Sequence, residues 1–152
     1  MDFQVIGMRG KASFDDMIGH FTSMGGEVVL MDPDMVAGRD HVISAARHAE
    51  RAFSYGTNRS RTILTEIILY AAWERQIYKA LAKMRPKEGR EDYVALLIDI
   101  EDPGLEAIGM TRDDSLVDAS DSKAEMLGLK KGAIPFEDQA VENVALVDLL
   151  KD

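Results

Sequence analysis

The apolar positions of this chain fall into short alternating or continuous runs separated by longer stretches of helical period. Phe3–Met8 reads as a first strand, closed by Gly10. Ser13 followed by Asp15 and Asp16 has the form of a helix start, with a capping hydroxyl and acids set against the dipole. Met17, Ile18, Phe21 and Met24 supply its apolar stripe, and Gly25-Gly26 stops it. Glu27–Met31 is short and β-branched, a second strand, and Asp32-Pro33-Asp34 turns the chain. From Gly38 to Phe53 the spacing predicts a helix with Val42, Ala45, Ala46, Ala49 and Phe53 on one face. A polar loop at Ser54–Ser60 precedes a helix from about Arg61, whose apolar positions Ile63, Leu64, Ile67, Ile68, Leu69 and Ala71 run round more than one side. Helical pattern continues from Glu74 to Met84, with a bend near Trp73.

The second half opens on Tyr93–Ile100, the clearest strand and of the kind found mid-sheet. Pro103 suits the first position of a short helix to Ile108. A brief strand at Leu116-Val117, a helix over Ser122–Leu127 and a final segment from Phe136 to Leu150 follow. The order predicts a single α+β domain over residues 1–152, an α/β two-layer arrangement of a small mixed sheet packed with several helices. No repeat, linker or low-complexity tract interrupts it.

Composition adds limits. Of 152 residues, 46% are hydrophobic and 30% charged, values of a folded domain. No apolar run approaches the roughly 20 residues of a membrane span, and the start lacks a basic segment followed by an apolar one. With no cysteine, disulfides, thiolate catalysis and cysteine-bound zinc are excluded. The expectation is a cytoplasmic protein without metal or cofactor.

Charge changes the picture more. The formal net charge of -9 opposes sequence-blind nucleic-acid binding. Residues 39–85, however, carry nine bases against four acids, while the flanking segments are acidic. A basic middle on an acidic body guides an anion to one place; a solvated helix face is the plainer reading of the same residues.

Motifs of catalysis are missing. There is no G-x-G-x-x-G and no P-loop, and Lys130-Lys131-Gly132 reads as a solvated turn. His41 and His48 stand two helical turns apart, too far for a helix-borne zinc pair, and His20, His41 and His48 are expected at or near the surface. The acid pairs Asp15-Asp16, Glu101-Asp102 and Asp113-Asp114 suit helix starts and loops. Glu66 stands apart because it falls inside an apolar helix, where a buried carboxylate needs a cation or backbone donors; Arg61 and Arg75 are near in sequence.

Thr62–Leu81, read as T-x-x-T-E-I-I-L-Y-A-A-x-x-R-Q-I-x-x-A-L, resembles the signature helices of the small regulatory subunit of the KEOPS complex, the archaeal relatives of the TPRKB (PRPK-binding protein) family. Arg61-Thr62 through Ile68, Met35–Ala49 with the strand before it, Tyr93–Ile100, and the closing Val144-Ala145-Leu146-Val147-Asp148-Leu149 agree with that family in order. Trp73 replaces a small residue, and the acidic stretch Glu101–Asp121 matches nothing in it. The resemblance implies a non-catalytic subunit that binds the KEOPS kinase-like ATPase subunit, binds tRNA through its 3′ CCA end, and supports threonylcarbamoyladenosine formation on tRNA. Combined with the charge map, it makes Arg59, Arg61 and Arg75 expected tRNA contacts, with Asn58 and Lys79 beside them. Ile63 and Leu64 are the expected kinase-subunit contacts and Glu66 a structural buried acid. Dimerisation through the assembled complex is left open. Two other readings stand: a small enzyme acting on an anionic metabolite around Glu66 and Arg75, and an adaptor in another complex without RNA.

Overall fold

The computed structural model describes residues 1–150. Its strands are β1 (Phe3–Arg9), β2 (Glu27–Met31), β3 (Asp92–Ile98) and the two-residue β4 (Thr111–Arg112). Helices α1 (Phe14–Ser23), α2 (Arg39–Tyr55), α3 (Ile63–Ala72), α4 (Ile77–Met84), α5 (Asp121–Leu127) and α6 (Phe136–Leu146) complete it, with short 3-10 turns between. The sheet order is β2-β3-β1-β4, so β3 is interior, as its apolar run predicts. Every neighbouring pair is antiparallel. The sheet is therefore not mixed: β1 and β2 point the same way across α1, but β3 is inserted between them.

Period-two alternation sorts the strands onto two cores. Val5, Val29, Met31, Val94, Leu96 and Ile98 face α2 and α3. Ile6, Met8, Val28, Leu30, Tyr93, Ala95 and Leu97 face Met17 and Phe21 of α1 with Leu105 and Met110. Helices thus cover both faces, which adds a layer to the expected two and explains why β3 shows no polar side.

Leu116-Val117 is not a strand. It lies in a 3-10 turn, Asp114–Val117, with both side chains buried. The Asp113 carboxylate accepts from the Ser115 N–H at 3.1 Å and so caps a turn, while β4 pairs with β1 earlier in the chain. The turn presses on Gly7: a Cβ there would lie 2.0 Å from the Asp113 carbonyl. Pro103 likewise does not open its helix. The 3-10 turn Leu105–Ile108 starts after Gly104, and the Pro103 carbonyl accepts from His20 Nε2 at 2.8 Å.

His41 is not near the surface. It is fully buried in α2, where Nδ1 accepts from the Ala37 N–H at 3.0 Å and Nε2 donates to the Ala71 carbonyl at 2.9 Å. Burial lowers its pKa to about 4, so a neutral ring in one tautomer joins α2 to the end of α3. On the same helix, Phe53 is half-buried and Ala52 takes the inward position. The start of α2 is held from α6: Glu137 accepts from the Asp40 N–H at 2.8 Å. Gly38 leaves room for it, since a Cβ would lie 2.2 Å from that carboxylate.

Ile63 and Leu64 are half-buried and pack on the α2–α3 core with Ile68 and Trp73. The Asp16 N–H donates to the Ser13 hydroxyl that caps α1, and Asp113 and Asp114 pair with Arg9 and Arg112, so these positions are structural. Lys130–Gly132 sits in an exposed loop held by the Gln139 side chain.

Candidate nucleic-acid interface

The loop between α2 and α3 is organised by one carboxylate. Glu66 is 2% exposed, one turn into α3 behind the Thr62 cap. Its oxygens accept from the Arg59 N–H at 3.0 and 3.1 Å, from the Ser60 N–H at 2.9 Å, and from the Ser60 hydroxyl at 2.8 Å. Backbone donors, together with the α3 N-terminus, therefore meet the need of a buried acid. Asn58 closes the loop by donating to the Ser60 carbonyl at 2.9 Å.

The other end of α3 breaks at Trp73, which adopts left-handed backbone geometry (φ 59°) where glycine is usual. Glu74 N–H returns to the Leu69 carbonyl at 3.1 Å and closes the turn. Lys83 donates to the Ala72 carbonyl at 2.8 Å with its ammonium 4.4 Å from the indole centroid, and the His41 ring lies 5.3 Å away. These contacts support the strained residue. They make Trp73 a half-buried part of the core surface, with the indole Nε1 buried and unbonded. Burial lowers the Lys83 pKa.

The break directs Arg75 toward the C-terminal segment, where it donates to the Val147 carbonyl at 3.0 Å. Between the end of α2, the Glu66 loop, α3 and the 3-10 turn Val147–Leu149 lies an open cavity of about 350 Å³. Arg51, Arg59 and Arg75 converge on it, with Tyr55, Tyr70, Glu74 and Asp148. Tyr70 donates its hydroxyl to Asp148, and burial, then that bond, raises its pKa. His48 lies behind, 3.8 Å from Asp148; burial and then Arg51 lower its pKa.

Of the residues expected from sequence, Arg59 and Arg75 meet at this cavity, with Glu66 in its wall. Asn58 bonds within the loop through its Nδ2, while Arg61 and Lys79 are exposed outside the lining. The cavity also brings in Arg51, Tyr55 and Asp148, which were not among the expected contacts. Arg51 and Tyr55 are one helical turn apart at the end of α2, and Asp148 belongs to the closing motif, so spacing contained a signal for each. The enzyme reading asked for a pocket beside Glu66, and there is one, but the carboxylate oxygens are engaged by the loop. Among the described residues no group of three or more His, Cys, Asp or Glu is placed to hold a metal ion. No helix among them is long and apolar enough to cross a membrane.

A second concavity, about 610 Å³, lies on the neighbouring side of α3. Phe14, Leu30, Ile68, Leu81, Met84 and Pro86 line it. Phe14 and Leu81 remain 51% and 41% exposed, and Ile77 and Tyr78 add exposed apolar surface on α4.

An α+β domain with one arginine-rich cavity and one apolar groove has the form of a binding subunit. The family model of the kinase binding protein CGI-121 matches residues 19–152, and the chain belongs to that family. The resemblance to the small KEOPS subunit thus holds at the level of the family, and the coarse class is a kinase-binding accessory subunit. No curated protein matches the chain.

Proposed function

We propose that the protein is the non-catalytic KEOPS accessory subunit that binds the kinase-like ATPase subunit and holds the 3′ CCA end of tRNA during threonylcarbamoyladenosine formation. The observation that carries the RNA half is the convergence of Arg51, Arg59 and Arg75 with Tyr55 on one cavity in an otherwise acidic protein. Its volume lies at the lower end of the ~300–1,000 Å³ of small-ligand sites, which suits a terminal nucleotide and not a duplex. Tyr55, 75% exposed, offers a stacking face, and the guanidinium groups offer phosphate contacts. Loss of one stacked base and its phosphate corresponds to about 1–3 kcal/mol. Removing CCA from a tRNA is therefore expected to weaken binding at low salt by roughly tenfold or more, measured by filter binding or anisotropy. Equal affinity with and without the tail would overturn the RNA reading.

For the kinase subunit, the groove beside α4 fits better than Ile63 and Leu64, whose side chains are partly used by the core. An exposed apolar surface of this kind suits a protein partner. Leu81→Asp is expected to weaken kinase-subunit binding by about 2 kcal/mol or more, the scale of an interface anchor, and to leave tRNA affinity unchanged. Calorimetry with the purified kinase subunit tests this; undiminished binding places the interface elsewhere.

A further inference from the structure

We infer that Asp148 makes the arginine-rich cavity selective for an RNA chain ending in free 3′ hydroxyls and against one ending in a 3′ phosphate. The inference rests on the 3′-end reading above and adds what that reading does not require. A cavity serving only to attract phosphate has no use for a carboxylate beside its arginines, because the acid offsets their field. Here the acid is held in place. The Tyr70 hydroxyl donates to Oδ1, and Arg75 bonds the carbonyl of Val147, the residue before it. Burial and Asp148 itself keep that phenol protonated, so the anchor is a donor. The side chain is nonetheless 58% exposed and lines the cavity, so it is presented to whatever enters.

A carboxylate accepts hydroxyl hydrogen bonds and repels phosphate. Each internal nucleotide of an RNA strand carries a 3′ phosphodiester, and only the last one carries both a 2′ and a 3′ hydroxyl. Arginines that hold the preceding phosphates, with an acid set where the chain stops, distinguish an end from a continuing or phosphorylated strand. Glu66, whose oxygens are occupied by the Arg59–Ser60 loop, has no such role. Glu74 also lines the cavity, but the single Tyr70 hydroxyl proton is committed to Asp148.

The test compares three RNAs on the full chain at one low salt concentration: a tRNA ending in CCA with a 3′ hydroxyl, the same tRNA with a 3′-terminal phosphate, and the same tRNA lacking CCA. The hydroxyl-ended RNA is expected to bind at least about tenfold more tightly than the phosphorylated one, the scale of one charge-assisted hydrogen bond exchanged for repulsion. Asp148→Asn is expected to bring the two within about twofold, mainly by improving binding of the phosphate-ended RNA. Should that variant fail to fold by circular dichroism, Tyr70→Phe, which releases the carboxylate from its anchor, is expected to narrow the same ratio. If wild type binds both ends alike while CCA removal weakens it, end selectivity is wrong and the 3′-end reading survives. If wild type discriminates and the folded Asp148 variant discriminates equally, the assignment to Asp148 is wrong. If CCA removal has no effect, both readings fall.

Discussion

Glu66→Ala is expected to destabilise the protein by roughly 3 kcal/mol, because it leaves buried donors without acceptors and a cavity where a carboxylate stood. The Arg59 and Ser60 N–H groups and the Ser60 hydroxyl all point at this side chain. Glu66→Gln keeps one carbonyl oxygen for the N–H groups but turns an amide donor toward them, so an intermediate loss of about 1–2 kcal/mol is expected. Urea unfolding monitored through the single tryptophan provides the measurement. A loss under about 0.5 kcal/mol for the alanine variant, at the low end for a hydrogen bond, would mean that water satisfies the loop and that Glu66 does not organise it. The variant is also expected to weaken tRNA binding, since the loop that loses its acceptor is the one that carries Arg59.

Arg51→Glu combined with Arg59→Glu is expected to lower tRNA affinity by about a hundredfold at low salt, with the fold intact. Each reversal removes an attraction and adds a repulsion at the cavity mouth. The slope of log affinity against log salt should fall by about 0.7 for each phosphate that is no longer neutralised, the single-strand value. Both are exposed residues, and circular dichroism with urea unfolding checks the fold before the affinities are compared. Arg61→Glu, next to Ser60 but outside the cavity lining, should have a distinctly smaller effect. If Arg61→Glu alone matched the double variant, the RNA would lie along the α3 N-terminus and not in the cavity.

The two cases differ in how far the chain announces them. Glu66 was legible as a buried acid, because it interrupts an apolar helical run. Its donors were not: two backbone N–H groups and a serine hydroxyl, seven and six residues upstream, turn toward it. Backbone direction is set by the loop's path, which side-chain patterning does not encode. His41 shows the reverse failure. A histidine two turns from another looks like a surface residue by composition, yet α2 places it between Ala37 and the end of α3, where both ring nitrogens find partners.

Local pattern was sufficient where the physical cause is local. Short apolar and β-branched runs located β1, β2 and β3, helical spacing located α1, α2 and α3 with a capping residue at the start of α1, and the continuous apolar run placed β3 inside the sheet. The bend expected near Trp73 is a full break, with α3 ending at Ala72 and α4 starting at Ile77. The brief strand at Leu116-Val117 failed because two apolar residues carry too little period to separate a strand from a capped turn that buries both.

Element order as far as β3, the α+β class, the family and the placement of positive charge in residues 39–85 could all be read along the chain. Hydrophobic period, capping chemistry and net charge are properties of sequence neighbours, so no fold is needed to see them. Tertiary packing was required to bring β3 between β1 and β2. It was required again to gather Arg51, Arg59 and Arg75 at one cavity while leaving Arg61 and Lys79 outside. The same packing set Asp148, from the last turn, against Tyr70, 78 residues away. Those outcomes depend on which helix faces meet, and that is settled by burial across the whole fold.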